Sequence, residues 1–280
     1  MKKVKIFLLF ILISGMAFGQ KGAKDYFERA NDYYYQDKLE KALENYQYIV
    51  KHYPRNKLYP SALYNAAHCS FRLERYDQSA GYCRELLGSK VNDREWVGGS
   101  IMSNPYANYR HRAARILSDC FFEQQQWDSA YHYLALSDTV YPLISMCGNA
   151  SAENRIALVV RYAEIYEKMQ QPDMAIAKLL PYVFNNFLAD NSRVIAELQK
   201  LLSGRSELKQ ELDAAIDSIY LKPIVSDHGI PEKQCGCLTF MGTEIELPLW
   251  WWTVRDGEFY HDEAATKIKE SDFYKMIQQL

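Results

Sequence analysis

The chain lacks the short motifs that mark the common catalytic sites. Its 280 residues contain no nucleophile elbow, no phosphate-binding glycine loop and no HExxH pair. Each of those chemistries needs its residues at a fixed spacing: a hydroxyl raised on a sharp strand-to-helix turn, backbone amides around a phosphate, or two imidazoles on one helix face around zinc. A CxxC pair in a βαβ setting, the mark of thiol redox catalysts, is also missing. So is an excess of charge of one sign. Lys and Arg number 33 against 35 Asp and Glu, a net charge of −2, which gives no reason to expect nucleic acid or an acidic membrane surface as the main partner. The chain is therefore read as non-enzymatic, calling for no cofactor and no metal.

A long hydrophobic run near the start is missing too. Lys2, Lys3 and Lys5 precede an apolar stretch at residues 6–13, and Ala17-Phe18-Gly19 then places small residues at the two positions a signal peptidase reads. A permanent anchor would need ~20 apolar residues to cross a bilayer, so residues 1–19 are expected to be a secretory signal cleaved before Gln20. No cysteine adjoins that point, which leaves no place for lipoprotein acylation. The mature protein is expected to be exported, periplasmic or associated with the outer membrane.

What is present is a recurring pattern. In residues 26–54 the aromatics Tyr26 and Tyr33 flank the small Ala30, a polar Gln36-Asp37-Lys38 turn follows, and Ala42 and Tyr46 share one face of a second helix before Pro54 ends it. The turn-and-small-residue signature returns as Arg75-Tyr76-Asp77-Gln78-Ser79, Gln126-Trp127-Asp128-Ser129-Ala130 and Gln171-Pro172-Asp173-Met174-Ala175. The closing positions Ala42, Ser79, Ala130 and Ala175 are 37, 51 and 45 residues apart (79 − 42, 130 − 79, 175 − 130). Residues 191–202 and 206–220 read as a further pair, with Ser206 as its candidate N-cap, placed to cover the end of the array.

These copies resemble the tetratricopeptide repeat, a family of helix–turn–helix units with a period of about 34 residues. The longer spacings here require loops or extensions between pairs, and residues 88–108 and 140–151 carry the Gly, Pro and Ser that punctuate them. The expected fold is mostly α, a TPR-like α-solenoid of antiparallel helix pairs over residues 20–221. In this family first-helix residues line the inner surface of the superhelix. The resemblance thus implies a groove of Asn31, Tyr34, Tyr35, Tyr64, Asn65, His68, Phe71, Arg72, Arg112 and Arg115. Some family members clamp a peptide's terminal carboxylate. Here Asn31, Asn65 and Arg112 fall at clamp-like places, but Phe27 and Ile116 replace the expected lysine and arginine, and an aromatic groove for a protein segment is the better reading. The 22 tyrosines suit it, since each combines contact area with a hydrogen-bonding tip.

Beyond residue 222 the period changes. Pro223, Gly229 and Pro231 mark a linker. Residues 237–240 and 243–247 read as a β-hairpin about Met241-Gly242, and a second hairpin is expected from a strand through Trp250-Trp251-Trp252-Thr253-Val254, a turn at Asp256-Gly257 and a return through Glu258-Phe259-Tyr260. A closing helix spans about residues 262–279. Residues 222–280 thus form a small C-terminal β-hairpin/α unit whose tryptophans must be covered by the chain, a partner, a glycan or a lipid surface. Among the cysteines, Cys69 and Cys83 fall in one helix pair and Cys235 and Cys237 flank a glycine, so disulfides are candidates in an oxidising compartment. Small buried apolar packing is the other reading. Zinc sites usually place two or more residues between paired cysteines, so Cys235, Cys237, His228 and His261 give little metal signal. The expected function is an exported, non-enzymatic scaffold or adaptor of the bacterial cell envelope that binds a protein partner. The alternative is a glycan- or lipid-surface-binding protein acting through the C-terminal unit, where any membrane contact would lie.

Overall fold

One turn, repeated four times, organises the chain. In a computed structural model describing residues 22–98, 104–184, 188–224, 233–255 and 258–280, helix α1 (Ala23–Tyr35) folds back on α2 (Leu39–His52) and α3 (Tyr59–Arg72) on α4 (Tyr76–Gly88). Helix α5 (Tyr109–Glu123) likewise folds back on α6 (Trp127–Ala135), and α7 (Gly148–Lys168) on α8 (Pro172–Leu179). The export signal, Gly229, Pro231 and the Asp256-Gly257 turn lie outside the described residues. At each fold-back a non-glycine residue stands in the left-handed region: Asp37, Glu74, Gln125 and Gln170, with φ of 58, 58, 59 and 60°. Its amide bonds three residues back and the next amide five back. In the first copy Asp37 N–H reaches the Tyr34 carbonyl at 3.0 Å and Lys38 N–H reaches that of Tyr33 at 2.9 Å; in the fourth, Gln170 reaches Glu167 at 3.0 Å and Gln171 reaches Tyr166 at 2.8 Å. This Schellman geometry satisfies carbonyls that the helix end would otherwise leave open.

Small residues at fixed offsets let each pair close. Seven positions before each left-handed residue stand Ala30, Ala67, Ser118 and Ala163, five positions after it Ala42, Ser79, Ala130 and Ala175, and all eight are fully buried. The two sets meet. Ser79 donates its hydroxyl to the Ala67 carbonyl at 2.8 Å, and Ser118 donates to the Ala130 carbonyl at 2.7 Å. A larger side chain at either position would hold the backbones apart.

The long spacings are taken up by anchored insertions. After α4 the chain makes a bridge between Trp96 and Tyr106, and Asp93 ties it to α5 through Arg110 at 2.6 Å. A π-helical turn, Leu136–Val140, ends the second helix of the third pair. The segment after it is held by Asn108, whose side chain accepts from Ile144 N–H at 2.8 Å and donates to the Ile144 carbonyl at 3.0 Å. The two insertions are thereby stitched together.

Helices α9 (Ser192–Leu202) and α10 (Leu208–Asp217) form the fifth pair. Ser206 does not cap it: the N-cap is Glu207, without a side-chain cap bond. Nor does the helix reach Tyr220. There β1 (Tyr220–Ile224) begins and pairs antiparallel with β2 (Lys233–Phe240), which pairs in turn with β3 (Thr243–Glu246). Pro223, expected in a linker, lies on this edge strand, where a missing N–H is tolerated. The Met241-Gly242 turn is as expected, with φ of 49 and 70°, both positive as a two-residue hairpin loop requires.

The tryptophan strand is corrected. Pro248 is followed by a 3-10 turn, Leu249–Trp251, and Trp252 stands at φ 56°, so the run bends where a strand would extend. Among the described residues only β4 (Val254–Arg255) and β5 (Glu258–Phe259) pair beyond it. Trp251 is buried, whereas Trp250 and Trp252 remain 45% and 68% exposed. The closing helix is two helices, α11 (His261–Glu270) and α12 (Asp272–Gln278), broken at Ser271, whose hydroxyl accepts from Tyr274 N–H at 3.2 Å. One apolar core runs from Ile156 to Ile277 and unites α7 to α10 with the sheet and α11 and α12. At its centre the Phe184 ring lies 5.1 Å from Trp251 and 6.1 Å from Phe273. Among the described residues no helix is long and apolar enough to cross a membrane.

Candidate partner-binding face

The first helices of successive pairs are joined by side chains that leave one face lined with aromatics and guanidinium groups. Tyr34 on α1 shares a 3.2 Å hydrogen bond with His68 Nδ1 on α3. Arg72 pairs with Asp37 at 2.7 Å and lies 5.7 Å from the Tyr34 ring centre. The Tyr64 ring is 6.4 Å from His68, and Arg112 on α5 sits 5.5 Å from the Tyr64 centre. Tyr35 meets Tyr34 edge-on at 6.0 Å and is 85% exposed. Burial, then the Arg72 charge, holds the His68 pKa below the usual histidine value. Its ring is thus neutral at pH 7.

Three of the expected groove residues have internal duties. Asn31 accepts from the buried Tyr46 hydroxyl at 2.6 Å, and Asn65 bonds the same hydroxyl. Together they solvate a phenol that burial would otherwise strand. Phe71 lies at the seam of α3 and α4, its ring 5.6 Å from Tyr76. Phe27, at a clamp-like place, packs edge-on against Tyr46 at 5.7 Å, and Ile116 is buried in the core of the second and third pairs. Those two positions serve packing.

Further along, the face changes from aromatic to ionic. Arg161 on α7 donates to Asp119 on α5 at 2.7 Å and to Glu164 at 2.8 Å, while its guanidinium lies 3.8 Å from the Phe122 ring centre. Arg115 stands beside this network, largely buried. Its Nη1 has no hydrogen-bond partner among the described residues. Burial first, then the charges of Arg161 and Arg193, lowers the Arg115 pKa, and Asp119 works against that shift. Sequence reasoning found Arg112 and Arg115 but missed Asp119, Arg161, Glu164 and Arg193. A signal existed for two of them: six positions before the turn, where Asn31 and His68 stand, the third and fourth copies carry Asp119 and Glu164.

All six cysteines are thiols in this structure. Cys69 packs in the core of the first pair and Cys83 in the next, beside Cys120, so Cys69 and Cys83 are not brought together. Each points into the seam its own helix makes. The sulfurs of Cys235 and Cys237 lie 3.6 Å apart on β2; both are buried, and burial pushes the Cys237 thiol up to about 12. The strand that carries them begins at Lys233, four residues before the one expected from residue 237. Among the described residues no three His, Cys, Asp or Glu side chains gather as a metal site, and His228 lies outside them.

No family model matches the chain, and no curated protein does. Among solved structures, a thermophilic TPR protein from Thermus thermophilus is similar at a TM-score of 0.37, with 16% identity over 70% of this chain and 92% of that one. The assignment of a solenoid of helix pairs therefore rests on this chain's own fourfold turn and its eight buried small residues.

Proposed function

We propose that the protein is an exported, non-enzymatic scaffold or adaptor of the bacterial cell envelope, and that it holds a segment of a partner protein against the first-helix face. One observation carries this reading. Tyr35, Tyr34, His68, Tyr64 and Arg112 form a ladder across three helices. Rigid aromatics with polar tips, interleaved with arginine, are the composition of protein-binding hot spots. The basic start followed by a short apolar run at residues 6–13 supports export.

Photo-crosslinking in the native cell tests the face. A photoreactive residue at Tyr35 or Arg112 is expected to capture one partner, and the same residue at Lys51 or Arg84, exposed on second helices, is expected not to. Equal capture from both sets would remove the assignment. Export has its own measurement: periplasmic extracts should yield a chain whose first residue is Gln20, and recovery of the protein only in the cytoplasm, still beginning at Met1, would contradict it.

A further inference from the structure

We infer that Cys235 and Cys237 form a chelating site for one soft metal ion, copper(I), on the outer face of the three-stranded sheet. The site does not depend on the reading of the first-helix face. Side chains alternate along a strand. On β2, Leu238 and Phe240 point into the shared core, so Cys235, Cys237 and Thr239 stand on the opposite side. Their surroundings agree: Thr239 is exposed, and the residues paired across the strands with the two cysteines include Lys222, Tyr220 and Glu246. Cys69, Cys83 and Cys120 fill apolar cores between helices, a duty that this polar face does not offer. The sulfurs of Cys235 and Cys237 lie side by side, 3.6 Å apart. That is less than twice the length of a metal–thiolate bond, about 2.3 Å, so one ion reaches both. Gly236 holds the spacing from beneath, because a Cβ there would meet Leu247 Cδ1 at 2.9 Å and the Phe259 ring at 3.0 Å; the strand is pressed onto the core between its two thiols. Both thiols are shielded from solvent, but the side chains beside them are long and partly free. Lys222 donates to Glu244, which also accepts from the Tyr220 hydroxyl at 2.6 Å, and Lys222, Glu244 and Glu246 are 44%, 38% and 62% exposed. Rotation of those groups opens a way to the sulfurs. Burial, with help from Glu244 and Glu246, raises both thiol pKa values, and a metal cation reverses that by taking the place of the protons. Zinc asks for four ligands, whereas among the described residues no three His, Cys, Asp or Glu side chains gather. Soft thiolates select copper(I), which two sulfurs alone can hold. In the binding step one Cu⁺ and two thiols give a bis-thiolate complex of charge −1 and two released protons.

The full mature chain, reduced and handled without oxygen, is titrated with copper(I) in competition with a chromogenic chelator. One ion per chain is expected, and intact-mass spectra of the complex should show two protons lost for each copper gained. Cys235→Ser and Cys237→Ser should each weaken binding by more than the ~100-fold that losing an outer partner of a metal site can cost. Cys147→Ser, a change at the half-buried thiol, should leave the affinity as it was. Serine suits a polar outer face, so the variants should keep the circular dichroism and melting midpoint of the parent. The parent chain also decides by itself: X-ray absorption at the copper edge should find two sulfur neighbours and no nitrogen. Absence of a copper(I) complex would overturn the site, as would copper held by nitrogen or a complex that survives in Cys235→Ser/Cys237→Ser. Zinc bound by the parent chain while copper(I) is refused would sink it too, and so would a Cys235–Cys237 disulfide that dithiothreitol leaves intact.

Discussion

At the scale of single residues, the first-helix face holds buried polar atoms that are satisfied and two, Arg115 Nη1 and Arg161 Nε, that have no partner among the described residues. The Tyr46 hydroxyl is fully enclosed between Asn31 and Asn65, so Tyr46→Phe strands two amides and should lower unfolding free energy by about 1–3 kcal/mol in urea titrations. A loss near zero would mean that the asparagines find water instead. His68 and His111 give a pH test. Burial is the main cause that lowers both pKa values, although the His111 ring also bonds the carbonyls of Ser137 at 3.0 Å and Tyr141 at 2.9 Å. A histidine whose folded pKa is depressed is neutral in both states well above its unfolded value near 6.5, and it costs nothing there. As pH falls through about 6.5 and below, the unfolded chain takes up protons that the folded chain refuses, so stability declines. Denaturation midpoints should therefore fall between pH 7.5 and 5, with a shallower decline in His111→Asn. An unchanged slope in that variant would reassign the acid sensitivity to other groups.

At the scale of elements, the fourfold turn is stable despite its residues. A side chain in the left-handed region costs roughly 1 kcal/mol relative to glycine there, so Glu74→Gly, Gln125→Gly or Gln170→Gly should each raise thermal stability by about 0.5–1 kcal/mol, partly offset by chain entropy. A destabilised Gln125→Gly would show that its side chain does more than occupy the turn. These helix pairs were legible in the sequence because their information is local: a polar turn, a small residue five positions later, and aromatics at helical spacing. The terminal unit was legible only where it is local too, at the Met241-Gly242 hairpin. Strand β1 was missed because Tyr220-Leu221-Lys222-Pro223-Ile224 follows a helical apolar pattern, contains proline, and becomes a strand only by pairing with β2. The Trp250 to Trp252 run has the composition of a strand, and the φ of 56° at Trp252 that bends it leaves no mark in composition. The candidate face was half legible. Its aromatic rungs follow helix periodicity, whereas Arg161 and Arg193 join Arg115 only after two insertions set how the third, fourth and fifth pairs sit.

At the scale of the whole molecule, the shared core from Ile156 to Ile277 binds the last repeats to the C-terminal unit. Removing residues 222–280 takes away Leu238, Phe240, Ile245, Trp251 and Phe273, all buried in that core, and should loosen α7 to α10 while the first two pairs, packed with α5 in separate clusters, keep their protection in hydrogen exchange. Uniform protection after truncation would show that the helical array closes itself. The fixed contact between small residues and the unvarying turn have one more effect. Because the turn and its small-residue contact are the same in all four pairs, the place six positions before each turn holds a different polar residue in each copy, Asn31, His68, Asp119 and Glu164 in succession, on one repeated frame. The frame and the message it displays are thus written in separate letters.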